Sequence, residues 1–397
     1  MFTIDRYLIK QFVQIFVICF LSMAGLFIVI DAFENLNAFS AQAGQDGNLL
    51  AIISRYYAYR SLEIFERTGG ILAMLAAMFT VTWLSRHQEM TALLAAGISK
   101  VRVLKPLLLM TIVVSLLGVL NRELMIPQVR DELMHDTKNL SGQALRNLEA
   151  RLDSQTNILL SGEKVVLADR RITNPNFVLP GNLSRYGKQL IAKHAYYHDA
   201  TDDHPAGFLL DDIISPLHIC AQPSLRKSEE RGTGNEEQGA GSEERETRGE
   251  AVIITPVDAK WLQPNQLFVV SAMPFTVLAN GSQWYNYAST NELIVQLGNP
   301  STDLGADVRV ALHSRLLQPL MDVTLVMLGL PLMFSRSSRN IFLSIGICIL
   351  AALAFTAVAI ACQSLGGIGL MSPALAAWLP LMVFIPLAVG MSGALRT

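Results

Sequence analysis

Residues 12–30 read FVQIFVICFLSMAGLFIVI, an apolar run without a charged side chain. A helix needs about 20 mostly apolar residues to cross roughly 30 Å of hydrocarbon, so this stretch predicts a membrane span. No small-residue cleavage site separates the run from the acidic stretch 31–34. We therefore interpret it as a retained span and not as a removed signal.

More apolar runs of similar length follow the first, at 69–84, 104–120, 316–334, 341–362 and 373–395. In a chain of 397 residues that is 51% hydrophobic and 16% charged, these runs predict an α-helical polytopic membrane protein with six transmembrane helices. The net charge of -2 gives no basic surplus, so no nucleic-acid partner is expected.

Basic residues alternate between the connections of the predicted spans. They precede the first run, fill the connection 85–103, recur at 335–340 and stand next to the last residue. By the positive-inside rule, both termini are expected in the cytoplasm and the long stretch 125–307 on the other side. The predicted order is three helices in 1–124, an inserted periplasmic domain in 125–307, and three helices in 308–397.

The inserted region predicts a β domain. Its short apolar or alternating segments are separated by Pro, Gly, Asn and Asp, and they lie at 158–167, 189–197, 208–214, 252–257 and 267–278. We expect a β-sandwich or jelly roll, opened by a helix within 130–149. The segment 224–250 has almost no apolar residues, so we expect a disordered surface loop there.

The connection between the second and third spans carries signals for a short helix at 86–96. Ser85 and Gln88 have the spacing of a capping box, which satisfies free N–H groups at a helix start. Gly97 supplies a left-handed stop at the other end. A helix of this length is too short to be stable alone, so it has to pack on another surface.

One face of this predicted helix is apolar. Met90, Leu93 and Leu94 fall at helical spacing, and Glu89 lies beside them. The stripe either packs on the chain's own membrane helices or docks on a partner protein. The spacing alone does not decide between these two interpretations.

Charged residues at membrane level are functional candidates. Asp322 lies in the fourth run, three residues after Pro319, which is expected to bend the helix and free a backbone carbonyl. Its side chain is predicted either to line a lipid cavity or contact a partner subunit, or to make a structural contact inside the bundle. Candidate ligands for phosphorylated lipid headgroups near the outer surface are Arg55, Arg60, Arg67, Arg122 and Arg315.

No catalytic residue and no metal site are predicted. The closest approach to a phosphate-binding G-x-x-x-x-G-K-[ST] loop, Gly181 to Lys188, has the wrong spacing. No serine lies in a nucleophile-elbow motif. The cluster of His194, His198 and His204 with nearby aspartates fits a solvated turn better than a tetrahedral metal site. We therefore expect the chain to bind no cofactor.

The segment RHQEMTALLAAGIS, residues 86–99, resembles the coupling helix of the LptF/LptG family of lipopolysaccharide-export permeases. Other segments are similar to family segments in the same order: DRYLIKQF at 5–12, NRELMIPQ at 121–128, LHSRLLQPL at 312–320 and PALAAWLP at 373–380. The chain departs from the family at Gly69 and Gly70, where members often have proline, and in the polar segment 224–250.

The resemblance implies a permease subunit of an ABC-type exporter in the bacterial inner membrane. Such a subunit extracts lipopolysaccharide or a related glycolipid and passes it to a periplasmic bridge of the LptC/LptA kind. The implied partners are a cytoplasmic ABC ATPase dimer, which uses the ATP, and a paralogous permease or a second copy of the chain. The ATPase would meet the short helix at Glu89, Met90, Leu93, Leu94 and Gly97. The acidic turn 31–34 favours the LptG-like member.

Two other interpretations stay open from the sequence. The chain is alternatively a membrane-anchored assembly or signalling protein whose periplasmic β domain binds a protein partner. A lipoprotein-release or drug-efflux permease is the other alternative. Those permeases commonly carry the large outer domain after the first span, whereas here it follows the third.

Overall fold

The chain forms two compact units in a computed structural model. The helical unit comprises Met1–Met134, Tyr287–Ile294 and Leu304–Thr397, and the β unit comprises His135–Asn286 and Val295–Asp303. The helical unit therefore extends beyond the predicted boundaries at 124 and 308. The structure describes residues 2–37, 39–40, 48–134, 145–167, 169–181, 183, 187–201, 204–226, 251–335 and 341–393.

Among the described residues, six helices are long and apolar enough to cross a membrane. In chain order the helices are α1 (Phe2–Glu34), α2 (Leu49–Arg86), α3 (Glu89–Ala95), α4 (Lys100–Leu120), α5 (Ile126–Gln128), α6 (Arg130–Met134), α7 (Phe275–Ala279), α8 (Thr290–Leu297), α9 (Ala306–Ser335), α10 (Ile341–Gly367) and α11 (Pro373–Ser392). The six spans are α1, α2, α4, α9, α10 and α11. The predicted arrangement of three helices, an inserted domain and three helices is confirmed.

Small residues let the helices of the helical unit approach each other closely. Ala73, Ala76 and Ala77 of α2 are buried, and they pack in one cluster with Leu107 of α4 and Val326 of α9. Without water in the bilayer, helix association depends on such close packing and on polar contacts between helices. The centre of this unit therefore lies where α2, α4 and α9 meet.

The β unit is one antiparallel sheet. Its strands are β1 (Leu145–Asn147), β2 (Arg151–Asp153), β3 (Ile158–Leu160), β4 (Lys164–Val166), β5 (Arg171–Thr173), β6 (Asn176–Val178), β7 (Gln189–His198), β8 (Gly207–Ser215), β9 (Leu225–Arg226), β10 (Ala251–Ile254) and β11 (Gln266–Val270). The strand order is β1-β4-β5-β7-β8-β11-β10-β9, and β2, β3 and β6 join the sheet beside β7. The predicted jelly-roll-like β domain is confirmed.

The long strand β7 organises the sheet. Its first half pairs with β6 and its second half with β5, while its other edge pairs with β8 along most of its length. Leu190, Ala192 and Ala195 of β7 are fully buried, and they pack with Phe208 and Leu210 of β8. Burial alternates from Leu190 to Ala192 and then shifts by one residue before Ala195, so the face of β7 on the core changes along the strand.

Three predictions for the inserted region match the structure only in part. The helix expected within 130–149 is described at Arg130–Met134, residues 135–144 lie outside the described residues, and Leu145–Asn147 is strand β1, which pairs with β4. The segment 158–167 is two strands, with Gly162 between them packed against Ile172. The end of 267–278 is helix α7, which begins after Pro274.

The predicted disordered loop 224–250 lies mostly outside the described residues. Residues 224–226 are described, and Leu225–Arg226 forms β9, which pairs with β10. The expectation for 227–250 therefore stays a prediction.

A buried carboxylate holds one corner of the β unit. Asp153 is completely buried and accepts hydrogen bonds from the backbone N–H groups of Gln155 (2.9 Å) and Thr156 (3.3 Å). The hydroxyl of Ser271 also donates to it, at 2.5 Å. A buried acceptor satisfied by three donors stabilises a fold, because its loss leaves those donors unpaired.

We expect Asp153→Ala to lower the free energy of unfolding of the β unit by about 3 kcal/mol, because three donors lose their buried acceptor. The measurement is proteolysis of the full chain at increasing urea concentration, with cleavage sites assigned by mass spectrometry. Asp199→Ala is the matched control, since Asp199 is exposed in its ion pair with Arg170 and should cost less than about 1 kcal/mol. Equal effects of the two substitutions would contradict this role of Asp153.

Candidate functional site

A π-helical turn, Asn121–Met125, joins α4 to α5 and presents successive polar side chains to different neighbours. Asn121 Nδ2 donates to the carbonyl oxygen of Leu62 on α2 at 2.8 Å. Glu123 accepts hydrogen bonds from both the backbone N–H and the hydroxyl of Thr290. Single π turns inside helices are frequent at functional positions, since they redirect side chains without ending the helix.

Arg122 satisfies a carbonyl group that a proline leaves free. Pro319 has no N–H, so the carbonyl oxygen of Arg315, four residues earlier in α9, lacks its ordinary helical donor. Arg122 is 6% exposed and its Nη2 donates to that oxygen at 3.2 Å, while its Nη1 lies 3.5 Å from Glu66 Oε1. The carbonyl oxygen that Pro319 was expected to free is therefore paired with the side chain of Arg122, in the π-helical turn after α4.

Asp322 is the second buried charged group of this region. It is 6% exposed and accepts hydrogen bonds from Ser115 Oγ of α4 (2.6 Å) and Gln318 Nε2 of its own helix (3.1 Å). A Cβ placed on Gly70 of α2 would overlap the Asp322 carboxylate. The structure thus supports the interpretation that Asp322 makes a polar contact inside the bundle.

The space beside these groups is small. A cavity of about 20 Å³ lies among Glu66, Gly70, Ser115, Arg122, Gln318 and Asp322. Such a volume holds one water molecule and excludes an acyl chain. We call Glu66, Gly70, Ser115, Arg122, Gln318 and Asp322 the buried polar network.

Two of the arginines predicted to bind lipid headgroups are not available to them. Arg315 is buried and its Nη1 donates to the carbonyl oxygen of Ala288 at 2.7 Å. Arg122 is committed to the buried polar network. The prediction is wrong for these two because burial removes their guanidinium groups from the membrane surface.

The other three arginines lie on α2 and carry acidic partners. Arg55 is 67% exposed in an ion pair with Glu132, and Arg67 is 62% exposed in an ion pair with Glu63. Arg60 is less exposed and also pairs with Glu63. Arg55 and Arg67 present a cation at the surface, so their role toward a lipid phosphate stays a prediction.

The short helix between the second and third spans begins later than the sequence indicates. Helix α2 continues to Arg86, and Ser85 Oγ donates to the carbonyl oxygen of Val81 at 2.9 Å. Gln88 has a φ of 60°, which turns the chain into α3 at Glu89–Ala95. The predicted capping box is wrong because Ser85 is still inside α2.

The predicted left-handed stop of this helix is confirmed. Gly97 has a φ of +80°, where an L side chain is strained. Its N–H donates to the carbonyl oxygen of Leu94, and the N–H of Ile98 donates to that of Leu93, both at 3.0 Å. This pair of bonds is a Schellman motif, which holds the end of α3 rigidly in place.

One side of α3 packs on the chain's own helices. Met90 is buried in a cluster with Leu8 of α1, Leu84 of α2 and Val103 of α4, and Leu93 packs against the same cluster. The Met90 side chain is therefore unavailable to a partner, contrary to the contact implied by the resemblance. Leu94 lies four residues after Met90, on a neighbouring part of the same face, and is 39% exposed.

The histidines of the β unit do not converge on a metal site. Among the described residues, no group of three or more His, Cys, Asp or Glu side chains is placed to hold a metal ion. The rings of His198 and His204 lie 5.8 Å apart, and His204 also contacts the ring of Trp261. Burial, and then the nearby His204, lower the pKa of His198. Asp202 and Asp203 lie outside the described residues.

Several residues of these sites were missed from the sequence. Gln318 precedes Asp322 by four residues, and this i,i+4 spacing on a helix was a usable signal. Ser115, Gly70 and Glu66 carry no local signal, because only the packing of α2 and α4 brings them to Asp322. Tyr7 belongs to the same group, since its partner Glu89 lies far along the chain.

Six membrane-crossing helices divided three and three by an antiparallel β domain define a multi-pass membrane protein with an extramembrane sheet inserted between its halves. A protein-family model described as Lipopolysaccharide export system permease LptF/LptG matches residues 6–198 and 232–393. No curated protein matches the chain. The chain belongs to the LptF/LptG family of lipopolysaccharide export permeases, which are transport components of the inner membrane and not enzymes.

We expect Gly70→Ala to destabilise the helical unit by about 1–3 kcal/mol, because the new methyl group displaces the Asp322 carboxylate from its two donors. Gly69→Ala is the matched control, since a Cβ there meets only Val114 Cγ1 at 4.0 Å. That substitution should be neutral or stabilising, because alanine favours the helix by about 0.5–1 kcal/mol over glycine. Thermal unfolding of the purified chain, followed by tryptophan fluorescence, measures both. Equal midpoints for the two variants would refute the close approach of Gly70 to Asp322.

Proposed function

We propose that this chain extracts lipopolysaccharide, or a related glycolipid, from the inner membrane and passes it to a periplasmic bridge of the LptC/LptA kind. A separate cytoplasmic ABC ATPase dimer supplies the energy, since the chain carries no phosphate-binding loop motif. The observation that carries this proposal is the family match over residues 6–198 and 232–393.

The short helix α3 is the proposed docking point for the ATPase. Basic residues flank it at Arg86, Lys100 and Arg102, which favours the cytoplasmic side for this connection and for both termini. The exposed Leu94 gives it an apolar contact, while Met90 and Leu93 anchor it to α1, α2 and α4. A partner that pushes on Leu94 therefore moves a short helix that is joined by brief turns to α2 and to α4.

The outermost helices support pairing with a second permease chain. In an apolar 18-residue stretch of each span, only 6% of the residues of α1 and 28% of those of α10 are buried, against 61% for α2. Exposed apolar side chains on these two helices include Ile18, Leu21, Leu350 and Leu353. A paralogous permease, or a second copy of this chain, would cover these faces, and spans one and five would then border the lipid entrance.

The headgroup of the lipid is proposed to meet Arg55 and Arg67. Both guanidinium groups are exposed, and each is held by one carboxylate that a phosphate can displace or join. Arg122 and Arg315 act differently, since both hold helices together from inside the unit. Recognition of the lipid and cohesion of the bundle thus fall to different arginines.

The test is to tag the full chain, purify it gently from its native membranes, and identify co-purifying proteins and lipids by mass spectrometry. We expect an ABC ATPase and a phosphorylated glycolipid with the unaltered chain. Leu94→Asp should abolish recovery of the ATPase, because it places a charge in an apolar contact. Leu370→Asp is the matched control, since Leu370 is 72% exposed in the connection between α10 and α11, away from α3 in sequence.

Recovery of neither an ATPase nor a glycolipid with the unaltered chain would refute the export function. Recovery of the ATPase with Leu94→Asp at the level of the control would refute the docking point alone. Both variants must reach the membrane in the amount of the unaltered chain.

A further inference from the structure

The first two turns of α1 contact α3 directly. Tyr7 Oη donates a hydrogen bond to Glu89 Oε2 at 2.9 Å, across 82 residues of sequence. Glu89 is the first residue of α3 and lies immediately before the buried Met90. The polar side chain expected to face a partner protein is therefore already bonded to α1.

An apolar contact lies next to this hydrogen bond. Leu8 of α1 is completely buried, and it packs in one cluster with Met90 of α3. Asp5, in the first turn of α1, forms an ion pair with Arg102 of α4 at 3.2 Å. The start of α1 is thus fixed to α3 through Tyr7 and Leu8, and to α4 through Asp5.

α1 also packs on α2 further along its length, where Phe12 is completely buried and Phe16 and Phe20 contact the ring of Phe65. Only 6% of the residues in its apolar 18-residue stretch are buried, the lowest fraction among the six spans in the described part of the chain. Most of its middle and its later turns expose apolar side chains, such as Leu21, Leu26 and Val29. The contacts of Tyr7 and Leu8 link the start of this helix to α3.

We propose that Tyr7 is a positioning residue that transmits movement of α3 to α1 through its hydrogen bond to Glu89. This inference rests on the proposed function, because it assigns a route for ATP-driven movement from the docking helix to a span that borders the lipid entrance. Glu89 then joins α1 to α3 within the chain.

The substitution Tyr7→Phe isolates this contact. The ring keeps its size and only the O–H donor is lost, so packing of the first turns is unchanged. Glu89→Gln is the conservative counterpart, since its amide oxygen still accepts from the tyrosine hydroxyl. Asp5→Asn is the control, because it weakens the other polar contact of the first turn, the one to α4 and not to α3.

The first measurement is hydrogen–deuterium exchange of the full chain in lipid nanodiscs, without any partner. Tyr7→Phe should raise exchange of the α3 amides by about three- to tenfold, the value of one hydrogen bond of ordinary net strength. Asp5→Asn and Glu89→Gln should leave these amides within about twofold of the unaltered chain. Unchanged α3 exchange in Tyr7→Phe would overturn the inference.

The second measurement is the ratio of lipopolysaccharide released to ATP hydrolysed, in vesicles that contain the chain with its co-purified ATPase. Tyr7→Phe should retain the ATPase and lower this ratio by about three- to tenfold, whereas Asp5→Asn should keep it. A Tyr7→Phe ratio equal to that of the unaltered chain, or equal to that of Asp5→Asn, overturns the inference. Loss of the ATPase in Tyr7→Phe also overturns it, because Tyr7 would then maintain the docking surface.

The two proposals fail in distinguishable ways. If the unaltered chain recovers no ATPase, the proposed function fails, and the exchange of the α3 amides alone then decides whether Tyr7 holds α3. If the unaltered chain exports lipid and Tyr7→Phe behaves as the unaltered chain does, the export function stands and the route through Tyr7 is refuted.

Discussion

The helical unit depends on one guanidinium group placed at a carbonyl oxygen that a proline has freed. Pro319 removes a hydrogen bond from the middle of α9, and Arg122 supplies the missing donor to the Arg315 carbonyl oxygen. Removing one partner of a buried charged contact costs about 3–5 kcal/mol, since the other groups stay buried without compensation. Proline and arginine therefore form one feature, although they lie far apart in the sequence.

The contact between Arg122 and the Arg315 carbonyl oxygen lies among other polar contacts that join α2, α4 and α9. The π turn brings Arg122 toward α9 and sends Asn121 and Glu123 to other neighbours. Gly70 lets the carboxylate of Asp322 lie against α2, where Ser115 and Gln318 satisfy it. The remaining cavity has room for about one water. The result is a rigid centre of α2, α4 and α9, while the more exposed α1 and α10 are proposed to border the lipid entrance.

Features of the fold that depend on residues close together in the sequence could be predicted, and features that depend on distant residues could not. The six spans depend on local apolar length, so the sequence predicts their presence and order, although α2 begins well before the predicted run at 69–84. β7 and β8 are predicted closely, because their apolar segments are bounded by turn residues. The stop at Gly97 is also local, because left-handed backbone favours glycine. The freed carbonyl at Pro319 was predictable for the same reason.

The polar partners were not predictable, because each depends on how separate helices pack. Arg122 and Arg315 have the composition and position of headgroup ligands, yet packing buries both. Ser85 has the spacing of a helix-capping residue, yet it lies inside α2, which ends one residue later at Arg86. Glu89 has the position of a partner contact, yet Tyr7 of α1 lies close enough to bond it.

The most direct test of this account is a double-mutant cycle on Arg122 and Pro319, measured as the free energy of unfolding of the purified full chain in detergent. Arg122→Met should destabilise the unaltered chain by about 3 kcal/mol. In a Pro319→Ala background the alanine N–H satisfies the Arg315 carbonyl, so the same substitution should cost at least about 1 kcal/mol less. Additive effects, within about 0.5 kcal/mol, would show that the two residues do not act on one carbonyl and would contradict the account.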